Sequence, residues 1–136
     1  MAEPVVIGSS IKALPATDNA KMIGLYSPSE SAGTYTFHDS ATGANYGPVP
    51  AGKKLLIIKV YVSDGETSGY GLGYIYDSGS LDSATGNIAY RAAYFGENNT
   101  NFQPIDIYAT ITAGNYPNWN YNKTGMSLAI GVEIDA

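Results

Sequence analysis

The sequence predicts an all-β fold, an antiparallel β-sandwich of jelly-roll type with an extended N-terminal arm. Three observations predict it. No segment holds helical periodicity for three turns, several segments alternate with period two, and Gly, Pro, Asn and Asp punctuate the intervals between them. Seven or eight short strands at this spacing suit a sandwich. The reading divides the chain into an arm, residues 1–20, and one sandwich domain, residues 21–136.

The arm carries Pro4, Gly8 and Pro15 around a small apolar tripeptide, Val5, Val6 and Ile7. Such a tripeptide pairs with a sheet edge, its own or a partner's, so these three residues are the candidate partner-binding element. Strands are expected at 22–26 and 33–37. The clearest runs from Lys54 to Val62 and is apolar on both faces, with Leu56, Ile58, Val60 and Val62 on one side and Leu55, Ile57, Lys59 and Tyr61 on the other. It reads as a central strand buried on two sides. In the next strand Gly69, Gly71 and Gly73 share one face, while Tyr70, Leu72, Tyr74 and Tyr76 share the other. Glycines in register imply close approach of a backbone or of aromatic rings, from the same chain or a neighbouring subunit. They are the candidate subunit-contact strand. Residues 88–95 fit a short helix or a strand equally well. The final strands are expected at 105–111 and 127–134.

Asp39-Ser40-Ala41-Thr42-Gly43 recurs letter for letter as Asp82-Ser83-Ala84-Thr85-Gly86. The match does not extend either way, so both copies read as turns. Asp and Ser initiate by bonding the backbone ahead, and Gly closes.

Composition narrows the function. Charged residues are 14% of the 136, against about 25% in an ordinary domain, while Gly numbers 16 and Tyr 12. With no Cys there is no disulfide, thiolate zinc site or cysteine nucleophile. A net charge of -5 has the wrong sign for nonspecific phosphate binding, so no nucleic-acid partner is expected. No apolar run reaches the length of a membrane-spanning helix, and no membrane partner is expected. The first residues lack the basic and apolar regions of a secretory leader, so either synthesis in a cytoplasm or a mature form with an added Met is expected.

Chemistry-bearing residues are few. His38 is the single histidine and precedes Asp39, but no GxSxG elbow accompanies it, and it reads as a surface or rim residue. Asp64, Glu66, Asp77, Asp82, Glu97 and Asp106 lie mostly beside turn glycines, where Asp serves local hydrogen bonds. No catalytic residue, no cofactor and no metal is assigned. The loop 77–83 offers hard oxygen ligands for calcium but lacks the ligand spacing of an EF-hand. The densest aromatic and amide cluster is 115–122, with Tyr116, Trp119, Tyr121 and four of the ten Asn. Its rings either plug the end of the sandwich or stack on a sugar, and Tyr116, Trp119 and Tyr121 are the candidate glycan contacts.

The run from Val49 to Ser63, a Pro50-Ala51-Gly52-Lys53 turn leading into a long apolar strand, resembles small bacteriophage virion proteins of jelly-roll type. The Gly-rich strand from Gly69 and the Ala113-Gly114 turn before the closing strands extend the likeness over about the last 90 residues. The resemblance implies a noncatalytic head-decoration, head-fibre or tail-associated subunit on the virion surface. It would form homotrimers and bind capsid or tail protein. A lectin-like, carbohydrate-binding module, possible also for a virion protein touching host glycan, is the alternative reading; a hydrolase is the third.

Overall fold

In a computed structural model of the chain, the described residues are 5–7, 12–14, 20–63, 71–94 and 103–136. They hold eleven strands and no helix: β1 (Val5–Ile7), β2 (Lys12–Leu14), β3 (Lys21–Tyr26), β4 (Gly33–Thr36), β5 (His38–Asp39), β6 (Lys53–Val62), β7 (Gly71–Ser78), β8 (Asn87–Tyr94), β9 (Gln103–Ile111), β10 (Tyr116–Tyr121) and β11 (Ser127–Asp135). Nine of them build two antiparallel sheets, β4-β10-β7-β8 and β5-β3-β11-β6-β9. The core lies between the sheets, with Leu25, Leu55, Ile57, Val60 and Val62 on one side and Ile75, Trp119 and Tyr121 on the other. The predicted all-β antiparallel sandwich is the observed fold.

Three segments gain detail. The expected N-terminal arm holds two short strands. Val5–Ile7 folds against Lys12–Leu14 as a short antiparallel pair. The ambiguous 88–95 segment is strand β8 up to Tyr94, paired with the Gly-rich strand β7 along its length. The aromatic and amide cluster 115–122 contains β10, Tyr116–Tyr121, a strand paired on both sides, with β4 and with β7.

The faces of β6 also differ from strict alternation. Its pairing shifts by one at Ile58 against β11, and against β9 at the same place. A bulge reverses the parity of every later side chain. Leu55 and Ile57 therefore share the inner face with Val60 and Val62, rather than with Lys59 and Tyr61. Leu56 points the other way and is still buried, with Val132 and Ile134, in a smaller cluster on the outside of the five-stranded sheet. The strand is covered on both sides, as its composition requires.

Candidate functional site

The glycine face and the aromatic cluster turn out to be one structure. Trp119 and Tyr121 point inward from β10, and the register sets Tyr121 opposite Gly73 and Trp119 opposite Ile75. Their rings lie across the neighbouring glycines. A Cβ on Gly73 would overlap Trp119 Cη2, and one on Gly71 would overlap the Tyr121 hydroxyl. Phe37, Trp119 and Tyr121 stack in series, with ring centroids 6.1 Å and then 5.8 Å apart. Trp119 is 2% and Tyr121 3% exposed.

Two assignments are corrected by this packing. The side-chain-free surface of Gly71 and Gly73 is filled from within the chain, because the bare backbone is what lets large rings fit between sheets about 10 Å apart. It offers nothing to a neighbouring subunit. Gly69 lies outside the described residues. Likewise Trp119 and Tyr121 are core residues and present no surface to a sugar. Tyr116 is half-buried against Gly47 at the sandwich end. The Asn-rich composition masked a period-two signal, since Trp119 and Tyr121 alternate with Asn118 and Asn120.

The Asn side of β10 organises the outer face of the four-stranded sheet. Asn118 is fully buried there. Its Nδ2 donates to the carbonyls of Ser80 (2.8 Å) and Ser83 (2.9 Å), and its Oδ1 accepts from Thr36 Oγ1 (2.7 Å). The Thr36 amide donates to Asp82 Oδ1 (2.8 Å), while the Asp82 amide donates to Thr36 Oγ1 (2.9 Å). Every donor of the two side chains is engaged, each oxygen accepts one bond, and the β7–β8 loop is clasped onto the sheet. The second copy of the five-residue repeat is thus a turn, as its residues predict, and Gly86 closes it at φ 93. The first copy is a tighter turn, in which the Ala41 amide donates to Asp39 Oδ1 and Gly43 donates to the Asp39 carbonyl with φ 75.

Along the same outer face, Tyr74 and Tyr76 stand half-buried with ring centroids 6.1 Å apart and planes at 34°. The Arg91 guanidinium lies 5.4 Å from the Tyr74 ring. Asn120, opposite Tyr74, donates to Thr34 Oγ1 at 2.6 Å.

The outer face of the five-stranded sheet is different in kind. Leu56, Val132 and Ile134 are buried at its centre, with Ile58 packed against them. Around them Met22 is 53%, Tyr108 59% and Leu128 38% exposed, on strands β3, β9 and β11. Ile130 and Tyr61 complete the face half-buried. Lys59 pairs across strands with Asp106 at 3.4 Å.

Ionisable groups elsewhere are structural. His38 Nδ1 donates to the Gly43 carbonyl at 3.0 Å, and its ring meets Tyr26 edge-on. Among the described residues no carboxylate is hydrogen-bonded to its ring. Buried Tyr46 donates to Glu133 Oε2 at 2.7 Å, and burial, followed by that bond and charge, pushes its phenol far above the ordinary tyrosine value. Burial raises Tyr90 as well. Asp77, in the loop considered for calcium, accepts from the Thr112 amide (3.1 Å), the Thr112 hydroxyl and Asn115 Nδ2 (2.9 Å). It ties β7 to the β9–β10 turn. Among the described residues no three His, Cys, Asp or Glu side chains gather where a metal could be held.

No protein-family model matches the chain, and no curated protein matches it. Over 99% of its length the chain aligns with a structure of infectious bursal disease virus, Gx strain, at 16% identity and a TM-score of 0.38. It aligns likewise with a mutant VP2 protein of the same virus in derived T=1 particles (13%, 0.39) and with the Gt strain (14%, 0.34). The chain spans 37–39% of the length of those proteins.

Proposed function

We propose that the chain is a noncatalytic structural subunit of a virion that assembles with copies of itself. The observation that carries this reading is the outer face of the five-stranded sheet. Met22, Tyr108 and Leu128 are exposed on one side of a single sheet, around half-buried Ile58, Tyr61 and Ile130. An apolar face that holds one cross-strand ion pair, Lys59–Asp106, on a chain so poor in charge suits a contact surface, since association removes its apolar area from water at about 25 cal/mol per Å². The turn-and-strand pattern shared with small bacteriophage virion proteins supports the same reading and favours a homotrimer in a decoration or fibre role at the virion surface. Val5, Val6 and Ile7 are kept as the element that attaches the subunit to capsid or tail protein, through the edge of their short strand.

Size-exclusion chromatography with light scattering tests the core of this. The expected mass is a small multiple of 14.3 kDa at micromolar concentration. A monodisperse monomer across that range removes the reading.

A further inference from the structure

We propose that the outer face of the four-stranded sheet binds an acidic oligosaccharide, with Tyr74 and Tyr76 as the stacking floor and Arg91 receiving the sugar's carboxylate. The proposal is independent of the assembly reading, which uses the opposite face of the sandwich.

The floor is preorganised. Tyr74 and Tyr76 are two residues apart on one strand, so both rings leave the same face, and they stand 6.1 Å apart and tilted by 34°. Half-exposed tyrosines present an apolar ring with a polar tip, which matches the mixed surface of a pyranose. Their cross-strand neighbours on β10 are amides, Asn120 beside Tyr74 and Asn118 beside Tyr76. Asn118 is consumed by the loop clasp, whereas Asn120 is oriented by its bond to Thr34 and keeps its carbonyl oxygen as an acceptor. A few fixed polar groups beside aromatic surface are what orient a small ligand.

The clasped loop gives the shelf an end wall. Ser80 and Ser83 sit directly on Asn118, so the face rises beside Tyr76. Charge selects the ligand. Arg91 is the one charged side chain that the described strands place on this face, and it is exposed and held over the Tyr74 ring at 5.4 Å. The nearest acidic residue of the wall, Asp82, has an oxygen engaged by the Thr36 amide. The net charge of -5 repels an anion only at a distance that ordinary salt screens, about 8–10 Å, whereas a guanidinium fork meets a carboxylate directly.

Isothermal titration of the full chain with 3′-sialyllactose, and with lactose as its neutral counterpart, tests the proposal. Sialyllactose is expected to bind with a millimolar or tighter Kd, and lactose about tenfold more weakly. Arg91→Gln, an exposed change that leaves the fold intact, is expected to bring sialyllactose down to the lactose level. Tyr74→Ala is expected to remove binding of both, with the thermal midpoint measured alongside. No heat with either sugar, equal affinity for the two, or sialyllactose binding untouched by Arg91→Gln each overturns the proposal. Because Trp119 is buried on the other side of the sheet, its fluorescence is expected to stay constant during the titration; a large quench would point to a different site and also contradict it.

Discussion

The two sheets of this sandwich solve the same packing problem with different residues, and their outer faces diverge further. The five-stranded sheet fills its half of the core with branched aliphatics, Leu25, Leu55, Ile57, Val60 and Val62. The four-stranded sheet lays Trp119 and Tyr121 over a glycine floor. Outside, the first sheet is apolar and open around Met22, Tyr108 and Leu128. The second carries tyrosine, threonine and asparagine beside exposed Leu72 and Ile88, with one loop clasped to it by Asn118. The difference teaches that low charge in this chain has two meanings: surface to be buried on one side, surface for directed hydrogen bonds and ring stacking on the other.

The largest stability effect is expected where the aromatic half of the core has no slack. Gly73→Ala drives a methyl into Trp119, and the rings cannot retreat because the opposite sheet is packed against them. A loss of about 3 kcal/mol is expected in urea unfolding. A loss under 1 kcal/mol would mean that the rings repack freely and that the glycines serve something else. Asn118→Ala comes next. It removes the donor of the Ser83 carbonyl and leaves the Ser80 carbonyl with Ser78 Oγ alone, and is expected to cost about 2 kcal/mol, with faster amide exchange in residues 80–84 than elsewhere. Uniform exchange would break the picture of a locally clasped wall.

Tyr46→Phe is smaller, about 1 kcal/mol at neutral pH, and depends on pH. The folded state holds the Tyr46 proton more tightly than the unfolded chain does, by burial and by its bond to Glu133. Stability from this group is therefore complete below the ordinary tyrosine value of 10.0 and declines as pH rises beyond it. The gap between wild type and Tyr46→Phe should shrink above that pH in thermal or urea unfolding. A constant gap would show that the phenol titrates normally.

How much of this was legible in the sequence follows from where two-residue periodicity is visible. The strand 127–135 announces itself because Leu128, Ile130, Val132 and Ile134 alternate cleanly with smaller or polar residues. The fold class follows from several such segments. β6 was legible as a strand but not in its facing, because both faces are apolar and nothing local marks the bulge at Ile58. β10 was hidden by Pro117 and four asparagines, which speak for turns, although a proline is tolerated here and its carbonyl still accepts from Phe37. The glycines at 71 and 73 did signal a close approach. Their partners could not be named, since Trp119 reaches them only through a pairing nearly fifty residues distant. Tyr74 and Tyr76 were visible as a face but gained meaning only once Asn120, Thr34 and Arg91 were beside them.

The smallest expected effect on stability is the most decisive for function. Leu128→Asp replaces a partly exposed side chain and should change folding stability by no more than about 0.5 kcal/mol. Placed on the apolar face near the end of β11, between Tyr26 and Tyr61, its charge should dissociate the assembly, while Tyr74→Asp on the other face should not. Native mass spectrometry of wild type and both variants at one concentration is the direct test. The account predicts a multiple of 14.3 kDa for wild type and Tyr74→Asp, and a single chain for Leu128→Asp. A wild-type monomer, or an assembly that survives Leu128→Asp and falls apart with Tyr74→Asp, would contradict it.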